Sequence, residues 1–164
     1  MRLVIATGGL GTNIGEIKTI LLDLLPNISQ KNLSLILYAG TQPDFREMFY
    51  ALPRQFGIPV GDITNSTPVR VIYDESIIRA NQELIEHAFP WADGFVTKPS
   101  GDMAYDAVGA GCFLLSLSPW GPWEENIERI FTNLGILKKA QPARFGQQLD
   151  QLVFSGWVKD AIAA

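Results

Sequence analysis

The sequence has few of the residues from which metal and redox sites are built. It contains one cysteine and one histidine among 164 residues, so no internal disulfide is possible and the paired spacings of a zinc site do not occur. Cys112 lies in the apolar run GCFLLSL and is predicted to be a buried, unreactive thiol. His87 has no nucleophile near it in sequence, which favours a structural role. We therefore expect no metal site, and no catalytic residue is assigned.

Long apolar runs and an excess of positive charge are also missing. No stretch approaches the roughly 20 apolar residues of a membrane span, and the N-terminal run MRLVIATGG is too short for a signal peptide. The formal net charge of -4 disfavours a nucleic-acid partner. Since 47% of the residues are hydrophobic, we expect one globular, cytoplasmic domain over residues 1–164.

Along the sequence, segments with a strand pattern alternate with segments with a helix pattern. Apolar runs predict strands at 2–7, 33–39, 69–74, 93–97 and 112–117. Helices are predicted at 14–25, 43–52, 75–89 and 123–135, a short one near 104–111, and one or two in the last 25 residues. In 75–89 one helical stripe is predicted to contain Ile77 or Ile78, Asn81, Leu84 or Ile85, and Ala88. This alternation predicts an α/β fold, a Rossmann-like doubly wound parallel sheet whose ligands bind beyond the carboxyl ends of the strands.

The first candidate ligand loop is TGGLGTNIG, which follows the first strand. Gly9, Gly11 and Gly15 have the spacing G-x-G-x-x-x-G, one residue longer than a dinucleotide fingerprint. Such glycines let the backbone approach a phosphate at a helix N-terminus. An NAD site also needs an acidic residue at the end of the second strand, where residues 38–40 are Tyr-Ala-Gly, so NAD is disfavoured. A tight turn without a ligand is the structural alternative.

The second candidate loop lies in GFVTKPSGDMAYDAVGAGC, between a strand and a helix of small residues. Asp102 and Asp106 are one helical turn apart, so the two carboxylates are expected on one face of that helix. Asp106 is suited to accept two hydrogen bonds from a ribose diol. The alternative for Asp102 is an N-cap without a ligand.

The third candidate loop is SPWGPWEEN, after the 112–117 strand. Trp120 and Trp123 are predicted either to contact a substrate or partner or to fill a gap beneath the loop. Glu124 and Asn126 fall in the first turn of the next helix. They are suited to bind sugar hydroxyls, or they are simply polar surface.

The order of these segments resembles the C-terminal, donor-binding domain of GT-B glycosyltransferases. The segments are the strand with TGGLG, then ELIEHAFPWADGFVTKPSGDMAYDAVGAG, then PWEENIERIF. The branch it resembles most contains the bacterial peptidoglycan N-acetylglucosaminyltransferase and the plant-type monogalactosyldiacylglycerol synthases. That branch has a turn T-K-x-G-x-G-T-x-x-E, in which Thr97 and Lys98 match and Asp106 takes the glutamate position. Ser100 and Asp102 stand at the two glycines, and Met103 stands at the threonine.

The resemblance implies a UDP-sugar site, with the UDP-sugar as donor substrate and no separate cofactor. Asp106 would hold the ribose, and Tyr73 would lie near the uracil. The diphosphate would be cradled by Lys98, Ser100, Gly101, Asp102 and Met103, and faced by Gly9, Gly11 and Thr12. Glu124 and Asn126 would lie near the sugar.

The resemblance also implies a partner, because a GT-B enzyme has two Rossmann-like domains and this chain starts on the first strand of the second. We expect the donor half of a hexosyltransferase that works with an acceptor-binding domain or subunit. In the split eukaryotic N-acetylglucosaminyltransferase such a partner is membrane-bound, so peripheral membrane association through a partner is expected. The alternative is a degenerate GT-B-like domain that does not bind a donor and acts as an interaction or regulatory module, which the altered glycines support. A NAD-linked or other nucleotide-dependent enzyme is a third interpretation.

Overall fold

A computed structural model describes residues 1–164 and contains one sheet of seven strands. The strands are β1 (Arg2–Ala6), β2 (Ser34–Gly40), β3 (Val60–Asp62), β4 (Val69–Tyr73), β5 (Gly94–Thr97), β6 (Phe113–Ser116) and β7 (Leu137–Lys139). Their order is β3-β4-β2-β1-β5-β6-β7, and every neighbouring pair is parallel. Because the chain moves from β1 to β2 on one side and later to β5 on the other, the strand order reverses at β1.

Seven α-helices connect and cover these strands. They are α1 (Ile14–Leu24), α2 (Pro43–Gln55), α3 (Ile77–Glu83), α4 (Gly101–Gly109), α5 (Pro122–Asn133), α6 (Phe145–Phe154) and α7 (Trp157–Ala163). A π-helical turn, Leu84–Ala88, continues α3. None of these helices has both the length and the apolar character needed to cross a membrane.

The core has two halves because successive strand side chains point to opposite faces of the sheet. On one face Leu3 and Ile5 pack with α1, α2, α6 and α7. On the other face Val4 and Ala6 pack with α3, α4 and α5. All four of these residues are fully buried, which explains why β1 is apolar from Leu3 to Ala6.

The predicted strands and helices are largely confirmed. Each of the five predicted strands lies within one residue of an observed strand at both ends. The edge strands β3 and β7 were not predicted. The predicted burial of Cys112 is also confirmed, and that burial raises the pKa of its thiol to about 11.

The predicted stripe of the third helix is wrong in part. Ala80, Leu84 and Ala88 are buried, whereas the other members of the predicted stripe, Ile77, Ile78, Asn81 and Ile85, are exposed. Residues four apart share one helix face, so Ala80, Leu84 and Ala88 face the sheet and Ile85 is turned outward.

Candidate functional site

A cleft of about 670 Å³ opens at the carboxyl ends of β2, β1 and β5. Its walls come from 7–10 after β1, 38–42 at the end of β2, Ile77 and Asn81 on α3, residues 98 and 100–103 after β5, and Trp123 on α5. The first and second candidate loops therefore meet in one cavity. They do so at the strand-order reversal, where α/β sheets of this kind bind ligands.

The first turn of α4 supplies hydrogen-bond donors to this cleft. Ser100 is the N-cap, with extended backbone angles (φ -76°, ψ 152°), and no side chain caps the helix. The amides of Gly101, Asp102 and Met103 precede the first intrahelical bond, which Ala104 donates to the Ser100 carbonyl. Three N–H groups and the positive end of the helix dipole thus lie at the cleft, an arrangement that suits an anionic oxygen.

The interpretation of Asp102 as an N-cap is wrong. Ser100 holds that position, so Asp102 is the second residue of the helix and its exposed carboxylate lies at the cleft. A carboxylate in the first turn still interacts favourably with the helix dipole. It also places a negative charge where an anionic ligand would bind.

The opposite wall is the glycine loop after β1. A Cβ added to Gly9 would meet nothing within 4 Å, so this residue leaves open space at the cleft. At Gly8 a Cβ would lie 2.5 Å from Cε of Lys98. The Lys98 side chain therefore passes directly over Gly8, and a Cβ at this position would force that side chain to shift.

Lys98 ends in an ion pair instead of pointing free into the cleft. Its Nζ lies 2.9 Å from Oε1 of Glu124, and the two side chains are only 6% and 13% exposed. The second oxygen of Glu124 accepts a hydrogen bond of 2.7 Å from the Trp120 amide. The lysine therefore links the ends of β5, β1 and β6, and its charge is balanced within the protein.

The end of β2 contributes residues that the sequence analysis did not assign to the site. The Tyr38 hydroxyl donates a hydrogen bond of 2.6 Å to Oδ1 of Asn81, and burial raises the pKa of this phenol to about 12. Gln42 donates a hydrogen bond of 3.3 Å to the Gly9 carbonyl. In folds of this kind ligands bind beyond the carboxyl ends of the strands, and that rule also points to the end of β2. From the sequence, this segment had provided only evidence against an NAD site.

The predicted donor contacts divide evenly between the cleft lining and its surroundings. Gly9, Lys98, Ser100, Gly101, Asp102 and Met103 line the cleft. Gly11, Thr12, Tyr73, Asp106, Glu124 and Asn126 do not. Asp106 is exposed on α4, one turn beyond Asp102 and therefore on the same side of the helix.

Gly11 and Thr12 belong to the part of the loop that leads away from the cleft. Gly11 has a φ of +63°, and a Cβ there would lie 2.9 Å from the Gln42 side chain. The Thr12 hydroxyl donates a hydrogen bond of 2.9 Å to Asn13. Both residues shape the approach to α1.

Tyr73 and Asn126 have partners elsewhere on the protein. The Tyr73 ring lies 5.0 Å from the Arg46 guanidinium, in a cation–π contact at the end of β4. The Asn126 side chain accepts a hydrogen bond from Arg129 on the same helix.

Trp120 and Trp123 are surface residues: Trp123 lines the cleft, and the Trp120 ring lies 5.5 Å from Nζ of Lys98. They are 69% and 72% exposed, so the prediction that they fill a gap beneath the loop is wrong. Leu10, at 66% exposed, lines the cleft as well. His87 lies outside the cleft lining and is half-exposed. No group of three His, Cys, Asp or Glu side chains is placed to hold a metal ion.

Known proteins resemble this chain in structure. No protein-family model matches it, and no curated protein matches it in sequence. The C-terminal CMP-Kdo binding domain of WaaA from Acinetobacter baumannii is similar over 99% of this chain and 86% of that one, at 15% identity and a TM-score of 0.65. The glycosyltransferase SnogD from Streptomyces nogalater is similar over 99% of this chain, at 16% identity and a TM-score of 0.58. UDP-GlcNAc 2-epimerase from Neisseria meningitidis, bound to UDP-GlcNAc, is similar over 98%, at 15% identity and a TM-score of 0.58.

These similarities are informative about architecture. The chain spans 36% of SnogD and 38% of the epimerase. At such identities the likeness shows the fold alone, and it does not single out one branch of enzymes. The fold is the α/β, Rossmann-like fold found in the C-terminal domains of GT-B glycosyltransferases, as the resemblance in sequence predicted.

Proposed function

We propose that this chain binds a nucleotide-sugar and is the donor-binding half of a glycosyltransferase. The observation that carries the proposal is the meeting of two backbone segments in one cleft. The uncapped first turn of α4 faces the glycine loop after β1, at the point where the strand order reverses. Amide donors of this kind bind phosphate without regard to the sugar or base attached to it.

The proposed mechanism is positioning of the donor. The phosphate accepts hydrogen bonds from the amides of Gly101, Asp102 and Met103, and the positive end of α4 stabilises the charge that develops as the sugar leaves. Asp106, one turn further along α4, receives the ribose hydroxyls. The match of Thr97 and Lys98 to the T-K turn supports the branch of the peptidoglycan N-acetylglucosaminyltransferase as a model for how this turn and the start of α4 hold a donor phosphate.

The solved structures support a nucleotide-linked sugar as the ligand class. Two of them are described with CMP-Kdo and with UDP-GlcNAc, and a third is a glycosyltransferase. Because the chain spans little more than a third of two of these proteins, we propose that the acceptor is held by a second domain or subunit. The exposed side chains of Trp120 and Trp123 are suited to contact that second domain or subunit.

Thermal shift and calorimetric titration test this proposal with UDP-linked sugars, CMP-linked sugars and NAD. We expect at least one nucleotide-sugar to stabilise the chain, by about 2.7 kcal/mol at 100 times its Kd, and NAD to have no effect. Gly101→Pro removes one amide donor at the first helical position, which tolerates proline because Ser100 is already extended. This variant should lose about tenfold in affinity, since a hydrogen bond to a charged group contributes about 1.5 kcal/mol or more.

Gly101→Ala is the matched control, because it keeps the amide and its Cβ would lie 3.7 Å from Trp123 Nε1, an ordinary contact. It should bind within twofold of the parent chain. Asp106→Ala should weaken binding, whereas Asp160→Ala, an exposed carboxylate on α7, should not. Equal losses in Gly101→Pro and Gly101→Ala would contradict the role of the amide.

A second candidate is an interaction module that has lost donor binding. The specific observation in its favour is the exposure of three large apolar side chains, Leu10 and Trp123 at the cleft and Trp120 near Lys98, which are all more than 60% exposed. If no nucleotide or nucleotide-sugar shifts the melting temperature at millimolar concentration, this candidate replaces the first.

A further inference from the structure

The charges around the cleft limit the kind of phosphate that it can hold. Among the residues that line it, only Lys98 and Asp102 are charged. The carboxylate of Asp102 lies at the same helix end as the three free amides. A ligand phosphate therefore binds beside one fixed negative charge, and the cation available to balance it is Lys98 alone.

Lys98 is already committed to a carboxylate. Its Nζ is 2.9 Å from Glu124, within a pair whose two side chains are nearly buried, and 5.5 Å from the centre of the Trp120 ring. Gly8 beneath its stem and the Trp120 amide on the far oxygen of Glu124 hold the pair in place. Redirecting the ammonium toward a ligand would leave Glu124 unpaired in a largely buried position, which is costly.

Two further cations, on α3 and α2, also have partners within the protein. Arg79 on α3 pairs with Asp74 at 2.9 Å, and Arg46 on α2 lies against the Tyr73 ring. Neither lines the cleft. The positive charge that is left to bind a ligand is therefore the N-terminus of α4, which is equivalent to about half an elementary charge and carries free amide donors.

We infer that the cleft is built for a sugar linked to a nucleoside through a single phosphate, in preference to one linked through a diphosphate. The inference rests on the proposed function and narrows its substrate class. One phosphodiester carries one negative charge, which the amides of Gly101, Asp102 and Met103 can satisfy. A second phosphate adds another negative charge near Asp102 with no free cation to meet it, and like charges at this helix end repel each other.

Isothermal titration of the chain with UMP, UDP, CMP and CDP, in EDTA and again in magnesium, tests the inference at matched base. We expect each monophosphate to bind at least as tightly as its diphosphate under both conditions. A diphosphate that binds tenfold or more tightly than its monophosphate, in either condition, would overturn the inference and leave the proposed function standing. Absence of binding by all four nucleotides and by the nucleotide-sugars would overturn the proposed function, and this inference with it.

Glu124→Gln provides an independent measurement. Removing this charge releases Lys98, so UDP affinity should rise at least fivefold relative to UMP affinity. Glu125→Gln is the matched control, because Glu125 is exposed in the same turn of α5 and has no contact with Lys98. An unchanged ratio of UDP to UMP affinity in a folded Glu124→Gln chain would contradict the inference. If that variant does not fold, the comparison in the parent chain still decides.

Discussion

The two bends that line the cleft differ in how their helices begin. The first bend, residues 8–13, has three glycines and is tied down by side chains: Gln42 donates to the Gly9 carbonyl, and Asn13 donates to the Ser118 carbonyl. Its helix starts at Ile14, outside the cleft lining. The second bend, residues 98–103, has one glycine, and its helix starts inside the cleft with no cap.

This difference separates two uses of glycine. In the first bend the glycines allow other groups to pass closely, the Lys98 stem over Gly8 and the Gln42 side chain beside Gly11. Neither helix start has a side-chain cap, but only the second lies in the cleft, so its free amides are left for a ligand. The number of glycines in a loop therefore does not identify the donor set; the position of the helix start does. The first bend should govern stability, and the second should govern binding.

The largest expected effect is on stability, and it comes from removing the Lys98–Glu124 ion pair that connects the two bends. Lys98→Ala leaves Glu124 nearly buried with the Trp120 amide as its remaining partner, and we expect a loss of about 3 kcal/mol in the free energy of unfolding. Lys31→Ala breaks a more exposed pair with Asp150 at the opposite edge of the sheet and should cost less than about 1 kcal/mol.

Urea denaturation with unchanged m-values measures both losses. Lys98→Met separates the two parts of the effect, because it keeps an apolar stem over Gly8 and removes only the charge. Similar losses in Lys98→Ala and Lys31→Ala would show that the ion pair does not connect the bends.

The next largest effect is expected from Asn13→Ala in the first bend. Asn13 has a φ of 67°, a left-handed conformation that costs alanine about 1 kcal/mol, and the variant also loses the hydrogen bond to Ser118, for a total of about 2 kcal/mol. Nucleotide affinity should stay within twofold, because Asn13 does not line the cleft. Asn13→Gly should recover about half of the stability. A fivefold loss of affinity in Asn13→Ala would contradict the claim that the first bend governs stability and the second governs binding.

The sequence predicted the fold correctly where its apolar runs were long enough to be recognised as strands that are covered on both faces of the sheet. The five predicted strands are such runs. The missed strands β3 and β7 have three residues each, Val-Gly-Asp and Leu-Lys-Lys, and lie at the sheet edges with mostly exposed side chains. Neither length nor hydrophobicity distinguishes segments of this kind from loops, and only their pairing with β4 and β6 defines them.

The site was accessible in outline because parallel strands bring their following loops to one edge. The convergence of 7–10 with 98–103 follows from that rule alone. The pairing of Lys98 with Glu124 did not follow, since it joins residues from separate loops and depends on the missing Cβ of Gly8. Each residue had been assigned a ligand contact because charged side chains near a glycine turn suggest a ligand before they suggest each other.

The smallest expected effect comes from Tyr38 at the end of β2, which lines the cleft between the two bends and α3. Here the effect on stability and the effect on its pH dependence can be measured separately. Tyr38→Phe removes the hydrogen bond to Asn81 and should cost about 1 kcal/mol near neutral pH. Burial raises the pKa of Tyr38 from 10.0 to about 12. Between these values the unfolded chain releases the proton and the folded chain retains it, so the stability of the parent falls as pH rises from 10 to 12.

Urea denaturation at a series of alkaline pH values should therefore give a shallower decline for Tyr38→Phe over that interval. Cys112→Ala is the control. In the parent chain burial raises the pKa of the Cys112 thiol from 9.0 to about 11, so the stability of this variant should decline less steeply between pH 9 and pH 11 instead. An equal slope in the parent and in Tyr38→Phe would mean that the phenol ionises with little cost in the folded chain. The hydroxyl would then be in contact with water in the cleft, and Asn81 would not be held in a fixed orientation toward a ligand.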